Sequence, residues 1–394
     1  MQILAPIGIG TYNRQFHLKT TIDALAENIL AQQSELFIFS DGAKYGDEAS
    51  VNNLRTYLHT ITGFKKVHII ERDINLGPLI NHGKGMDDLL EKYGKFIYLE
   101  DDIVTASGFL TFMNSALDLY DDREDIHSVS GYTPAVNSSF QSKEDGFLFQ
   151  RFTGWGMGAW KNKFYKVKRI DKDEYQNFIN NPEIVEKAIA NSGKNILKEF
   201  KDDAYRKNNY YDVQATFLEY KENAYTLYPK QSLVMNIGHD GSGQQSGVTN
   251  KFDVELWSKK ENFILPRDIK PNKEIIKEMA QFYSPNEKDI DVAVVNNIIT
   301  KIEKLNIKSL SLWGRGVLST LLGKEITRRG IVINYYIDTW AEEGEYYDNI
   351  MVITPQKAIE NGENNFVIAS LGSRFKMEES ISEITKNLNV IMYN

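Results

Sequence analysis

The sequence predicts an α/β protein: a mainly parallel, doubly wound sheet in a large first domain, then a smaller α/β domain towards the carboxyl end. Three observations predict it. Along the first hundred residues, short apolar runs of strand length alternate with amphipathic helical stretches, the pattern of β-α-β crossovers. After Lys251 the composition turns charged, and from Ile307 a fresh strand–helix alternation begins. At 394 residues the chain exceeds one ordinary core. The expected divisions are a first domain over 1–260, a linker with connecting helices over 261–306, and a second domain over 307–394.

The first strand is expected over Gln2–Ile7, running into Gly8-Ile9-Gly10-Thr11-Tyr12-Asn13-Arg14. Lys19–Gln32 places Ile22, Leu25, Ile29 and Leu30 on one helical face. Leu36–Phe39 is a second strand ending in Ser40-Asp41-Gly42. Helix Glu48–Ile61, strand Val67–Ile70, the turn Asn75-Leu76-Gly77-Pro78 and helix Ile80–Tyr93 follow. Phe96–Leu99 then reads as a buried central strand whose carboxyl end carries Glu100-Asp101-Asp102. Three adjacent carboxylates are costly unless something positive sits there. Ligands of open α/β sheets bind beyond the carboxyl ends of the strands, and Mg²⁺ or Mn²⁺ prefers a few carboxylates plus phosphate oxygens. An acidic solvated turn is the plainer alternative.

Composition excludes several classes. A formal net charge of −8 argues against a nucleic-acid footprint, and the absence of cysteine removes disulfides and thiolate metal sites. No apolar run approaches the ~20 residues that span a bilayer, and the amino terminus lacks the layout of a signal peptide. A cytoplasmic enzyme is expected.

The segments Pro6–Arg14 (PIGIGTYNR), Phe39–Gly42 (FSDG), Asn75–Gly77 (NLG) and Leu99–Asp102 (LEDD) together resemble the GT-A-fold nucleotide-sugar glycosyltransferases, over roughly the first 260 residues. The similarity is to bacterial surface-polysaccharide enzymes and, more distantly, to N-acetylglucosaminyltransferase I. Phe109–Tyr120 and Ser128–Tyr132 follow the same family pattern. The resemblance implies a GT-A fold with a mixed, mainly parallel sheet, a UDP-sugar donor, and Mn²⁺ or Mg²⁺ at the acidic triplet. It implies that Asp102 holds the metal, that Asp101 lies near the ribose, and that Glu100 shapes the site. Thr11 and Arg14 would lie along the nucleotide, with Asn75 and Gly77 beside it; a solvated surface charge is the alternative for Arg14. A carboxylate can accept from the N3–H of a uracil, the role expected of Asp41, with a turn aspartate before Gly42 as the alternative.

Phe152–Trp160 is glycine- and aromatic-rich and cannot be regular throughout. Trp155 is expected to face an acceptor sugar, while Trp160 is equally suited to the core. Asn209-Tyr210-Tyr211-Asp212 resembles the family segment in which an aspartate at a helix start is the general base. Asp212 is therefore the catalytic candidate, with an N-cap or first-turn aspartate as the alternative, and Tyr211, where the family usually has tryptophan, is an acceptor contact. Asp202 and Asp203 compete for the role. Ser232–Gly243 reads as a strand and a glycine-rich loop, which resembles the family segment folding towards the donor. In it His239 is a further metal-ligand or phosphate candidate, with a structural histidine as the alternative.

Lys308–Trp313, Val332–Ile337, Val352-Ile353, Phe366–Ala369 and Val390–Met392 are expected strands of the second domain, with helices over 317–329, Pro355–Glu360 and Glu378–Leu388. The pattern is Rossmann-like. Gly314 and Gly316 with Asp338 resemble a dinucleotide fingerprint, but Ser319 stands at the third glycine position. Docking or homo-oligomerisation is the expected role, with nucleotide binding as the alternative.

The function expected is inverting, metal-dependent transfer of a sugar, of GlcNAc type, from a UDP-sugar to a glycan or lipid-linked acceptor in surface-polysaccharide synthesis. A lipid-linked acceptor would bring the protein to the inner face of the plasma membrane. Two rivals stand beside it. A sugar nucleotidyltransferase would carry a denser glycine loop than Gly8–Thr11, and a non-catalytic glycan-binding protein would release no UDP.

Overall fold

The computed structural model describes residues 3–136, 143–205, 209–240, 251–258, 260–284, 292–339, 341–370, 377 and 388–392. One compact unit comprises Met1–His239 with Phe252–Ser284; the described elements of a second run from Val292 onwards.

The first unit begins β1 (Ile7–Thr11), α1 (Gln15–Ala26), β2 (Glu35–Ser40), α2 (Glu48–Leu58), β3 (Lys66–Glu71), α3 (Pro78–Tyr93) and β4 (Lys95–Glu100). It continues through β5 (Ile103–Thr105), α4 (Phe109–Leu119), β6 (Ile126–Ser130), β7 (Gly146–Phe149), β8 (Met157–Trp160) and α5 (Lys161–Phe164). Helices α6 (Lys172–Ile179), α7 (Pro182–Ser192), α8 (Ile196–Ala204) and α9 (Tyr211–Glu222) then precede β9 (Tyr225–Pro229), β10 (Val234–Asn236) and α10 (Lys273–Tyr283). The sheet order is β3-β2-β1-β4-β8-β6-β9-β7. The first four strands are parallel, β8 lies antiparallel between β4 and β6, and β7 is antiparallel to β9. This is the mixed, mainly parallel α/β architecture expected, with an additional α/β unit after it.

One strand begins later than expected. Residues Ile7–Thr11, not Gln2–Ile7, pair with β2 and β4, so the glycines lie inside the strand. Gly8 and Gly10 share one face of it, by the two-residue period. A Cβ on Gly8 would stand 2.6 Å from the Tyr98 ring and 2.8 Å from Leu89; one on Gly10 would stand 2.5 Å from His82. The glycines are there because α3 packs directly on this strand. Helix α1 likewise starts earlier, at Gln15, and ends at Ala26, with a short 3₁₀ turn at Ala31–Gln33 completing the expected span.

Beneath the sheet, Ile7, Ile9, Leu36, Ile38, Ile97 and Leu99 are fully buried against α1 and α4. Trp160 belongs to this core. Its Nε1 donates to Leu117 O at 2.9 Å, and the Lys163 ammonium sits 3.8 Å from its ring while donating to the carbonyls of Tyr120, Asp121 and Arg123. Part of the expected linker also packs here. Phe263 and Leu265, like Phe252 before them, lie against the same core, and Met279 of α10 is buried beside Phe147 and Tyr228.

The second unit opens with α11 (Val292–Lys304). It then runs β11 (Ser309–Trp313), α12 (Val317–Arg328), β12 (Val332–Ile337), β13 (Tyr346–Tyr347), β14 (Ile350–Ile353), α13 (Pro355–Glu360), β15 (Asn365–Ile368) and β16 (Asn389–Ile391). The order is β13-β14-β12-β11-β15-β16, parallel except for the β13–β14 pair. The expected helix Glu378–Leu388 lies outside the described residues, apart from Leu388. Asp338 is not free for a ribose: Arg315 grips it at 2.6 and 3.0 Å and also holds Glu345 at 2.5 Å. Ser319 is fully buried where a third glycine would stand.

Candidate active site

Because β2, β1 and β4 are parallel neighbours, their carboxyl ends deliver Asp41, Thr11 and Glu100–Asp102 to one edge of the sheet. Arg14 follows β1 by three residues and closes over the acids. Its Nη2 donates to Asp102 Oδ2 at 2.7 Å and, more closely, to Asp101 Oδ1. Thr11 Oγ1 donates to Asp101 Oδ2 at 3.0 Å, and Thr21 Oγ1 to the Asp101 carbonyl at 2.9 Å. Asp101 is thereby anchored from three sides. Burial opposes the Arg14 cation, but Asp101 and Asp102 outweigh it and raise its pKa. Burial also pushes the Asp101 carboxyl up, against the pull of Arg14.

Asp102 differs from Asp101. Its Oδ1 is buried with no hydrogen-bond partner, as is Arg14 Nη1. The segment after β10 presses onto it: Ile237 N donates to the Asp102 carbonyl at 2.9 Å, and a Cβ on Gly238 would overlap Asp102 Oδ2. Only a glycine lets that backbone approach so closely. The antiparallel pairing of β10 with β5 brings it there, matching Asn236 to Ile103. His239 comes next. Its ring lies between Trp155, at 5.4 Å, and Phe252, at 5.2 Å, and both ring nitrogens are buried and unpartnered. Gly241, Ser242 and Gly243, the rest of the expected glycine-rich loop, lie outside the described residues.

Among the described residues no group of three or more His, Asp and Glu side chains forms a metal cage. The donors present suit a different arrangement. One orphaned carboxylate oxygen on Asp102, with two orphaned imidazole nitrogens on the neighbouring segment, fits a hard cation that draws its other ligands from phosphate and water.

Asp41, expected to read a base or to serve a turn, has its carboxylate occupied within the chain. Its Oδ1 accepts from Gly42 N (2.9 Å) and Leu76 N (2.8 Å), and its Oδ2 from Gly77 N (2.9 Å) and Asn75 Nδ2 (3.2 Å). Four donors of its own chain occupy the carboxylate, which holds the Asn75–Gly77 turn at the start of α3. Gly77 has φ of 75° there, and Pro78 opens the helix. Arg55 secures the other side of the turn by donating to the carbonyls of Asp41 and Arg72.

On the opposite bank, Asp212 stands in the first turn of α9. Gly154 N donates to its Oδ2 at 3.3 Å, Thr216 Oγ1 to its carbonyl at 2.7 Å, and Phe152 N to Thr216 Oγ1 at 3.0 Å. These bonds tie the glycine-aromatic loop to the helix start. Asp212 is open to solvent, yet it is walled by enough protein to lose solvation, which pushes its carboxyl up to about 6. Gly154 N and Arg151 favour the anion in part. Glu100 is pushed further, to about 8, first by burial and then by Asp102, Asp212 and Asp101. Asp212 thus bears on Glu100, and the two banks meet where Trp155, next to the Gly154 that bonds Asp212, contacts His239.

The competing acids are engaged elsewhere. Asp203 accepts from Ile170 N and Gln214 Nε2, and Asp202 pairs with Lys198. Tyr211 turns inwards, stacked on Phe164 at 4.8 Å and edge-on to Phe152 at 5.3 Å. Trp155 packs on Tyr132 at 4.7 Å.

Two residues escaped the sequence reading. His82 of α3 lies under Gly10 and 5.6 Å from the Tyr98 ring, where burial pulls its pKa down to about 4 while Asp102 and Asp41 act against the shift. The paired glycines on one face of β1 were its signal, since such a gap calls for a bulky group opposite. Arg151, pinned by Glu199 at 2.9 and 3.0 Å and lying 4.2 Å from the Tyr283 ring, had no local signal.

The strand order and this crevice define the class: an open α/β sheet with an acidic site at the carboxyl ends of parallel strands. Solved structures similar to it include two glycosyltransferases. The structure of S. aureus TarS is similar at 9% identity and a TM-score of 0.34, over 59% of this chain and 36% of that one. The mannosyltransferase PcManGT from Pyrobaculum calidifontis, in complex with GDP-Man and Mn²⁺, is similar at 14% identity and 0.28, over 41% of this chain and 45% of that one. The galactosyltransferase LgtC, in complex with donor and acceptor sugar analogs, is similar at 13% and 0.29, over 57% and 72%. This chain thus spans less than half the length of the first two. At such TM-scores the fold assignment stands on the strand order. No family model matches the sequence, and the comparison with curated proteins gives no match.

Proposed function

We propose that the first unit is a nucleotide-sugar glycosyltransferase that moves a sugar from a UDP-sugar to a hydroxyl of a glycan or lipid-linked acceptor, with inversion. The observation that carries this reading is the pairing of two unlike acidic positions in one crevice. Asp102 keeps a buried, unpartnered oxygen, whereas Asp212 is water-accessible with its pKa near 6.

In this reading Asp102, with His239 beside it, would hold Mn²⁺ or Mg²⁺, and the ion would neutralise the leaving diphosphate. Arg14 has an uncommitted buried nitrogen, suited to a phosphate oxygen, while Thr11 and Asp101 line the nucleotide. Asp41 acts by holding Asn75 and Gly77 in place. Asp212, ionised at neutral pH, takes the proton from the acceptor hydroxyl as its oxygen bonds to the anomeric carbon and the bond to the diphosphate breaks. Trp155 and Tyr211 form part of the acceptor side through the loop they stiffen. A UDP-GlcNAc-type donor, surface-polysaccharide synthesis at the inner face of the membrane, and docking or oligomerisation by the second unit complete the proposal. No described helix is long and apolar enough to cross a membrane.

Release of UDP from UDP-GlcNAc, UDP-glucose and UDP-galactose, measured with and without Mn²⁺, tests the reading. Metal-stimulated release that Asp102→Asn abolishes, together with metal-supported UDP binding, is expected. Equal UDP affinity with and without Mn²⁺ would sink the metal assignment.

A further inference from the structure

A pocket of about 530 Å³ opens at the other end of the sheet, lined by Gly94, Asp121, Trp160, Lys161, Asn162 and Tyr165. Gly94 immediately precedes β4, and Trp160 pairs with Lys95 at its first residue. The six residues of β4 therefore separate this pocket from the Glu100 end by about 17–20 Å. None of its lining takes part in the acidic crevice.

Its chemistry selects an uncharged ligand. The Lys161 ammonium, the one cation among the described lining residues, is committed to Glu91 at 2.7 Å and lies 6.0 Å from the centre of the Tyr165 ring. The Tyr165 hydroxyl is bound to the same carboxylate at 3.1 Å, which steadies the ring while leaving the residue 40% exposed. Asp121 is exposed, and neither its carboxylate nor the Asn162 amide has a hydrogen-bond partner among the described residues. Asp121 on the wall would repel a phosphate or a carboxylate ligand, while its neighbour Asp122 is paired with Arg267. What remains is a steadied aromatic face beside a free carboxylate and a free amide, with Trp160 in the lining. An aromatic face with a few convergent planar polar groups suits a polyol ring, whose C–H face is apolar and whose hydroxyls donate and accept.

We propose that this pocket is a second saccharide-binding site, which holds a neutral stretch of glycan remote from the acidic crevice. It rests on the glycosyltransferase reading only for its purpose, which is to retain an acceptor chain already several residues long. Tyr165 supplies the stacking face, and Asp121 and Asn162 the hydroxyl contacts.

The experiment is saturation-transfer NMR on the full chain, without donor or metal, using neutral hexasaccharides of glucose, galactose and N-acetylglucosamine. At least one is expected to show ring-proton transfer that Tyr165→Ala and the double change Asp121→Asn with Asn162→Ala each weaken tenfold or more. Asp212→Asn should leave it intact. Metal-stimulated UDP release should be unaltered in the pocket variants, and this separates the two readings. Saccharide binding of that pattern in a protein that releases no UDP would keep the pocket and remove the transferase. No transfer from any hexasaccharide, or transfer indifferent to Tyr165→Ala in a folded variant, overturns the proposal.

Discussion

Asp212 is the residue at which sequence, environment and chemistry can be tested most sharply. Its raised pKa still leaves it ionised at pH 7, so it can accept a proton while remaining a better base than an ordinary aspartate. Asp212→Asn is expected to keep UDP affinity and lose ~10²–10⁴-fold in turnover, the usual contribution of one positioned acid or base. The sign of the pH effect follows from the direction of the shift. A base must be unprotonated, so kcat/KM should rise with pH through about 6 and level off above 7. That limb should vanish in Asp212→Asn. An unshifted limb in the variant would move the base elsewhere. Asp203→Asn, whose parent carboxylate is bonded to Ile170 N and Gln214, serves as the structural contrast.

At the scale of elements, the site depends on close backbone approach at glycines. β1 lies under α3 because Gly8 and Gly10 leave room for Tyr98, Leu89 and His82. The exit from β10 lies on Asp102 because Gly238 has no side chain. Gly238→Ala would drive a methyl into the Asp102 carboxylate, and overpacking of this kind costs ~1–3 kcal/mol. The prediction is specific to the function of the segment. Metal-supported UDP binding, read by calorimetry, should fall at least tenfold while far-UV circular dichroism stays unchanged. Wild-type binding in Gly238→Ala would show that the segment after β10 does not bear on the donor side.

For the whole molecule, the question is which unit carries the chemistry. Residues Phe252–Ser284 pack with the first unit, so a chain cut after Ser284 retains that unit's whole described core. It is expected to bind UDP in the presence of Mn²⁺ with an affinity within a few-fold of the full chain. Size-exclusion chromatography of both would show whether the second unit sets the oligomeric state. A well-folded 1–284 chain without UDP binding would make the second unit part of the site. In that unit Arg315 already neutralises Asp338 and Glu345, which leaves little free acid for a ribose.

What the sequence determined by itself was the alternation that dictates a parallel sheet, and with it the edge at which Thr11, Asp41 and Glu100–Asp102 emerge. Those are local properties, since apolar period and turn residues are read along the chain. The start of β1 was misread because glycines signal a turn unless a neighbour needs their space, and that neighbour, α3, lies seventy residues away. Only the tertiary structure decided what each polar group faces. It saturated Asp41 with four donors, left Asp102 Oδ1 with none, caged His239 between Trp155 and Phe252, and tied Asp212 to Gly154 N. The physical reason is that desolvation and hydrogen-bond partnership depend on groups distant in sequence. A carboxylate's type is written in the chain, but its charge state and availability are properties of its surroundings.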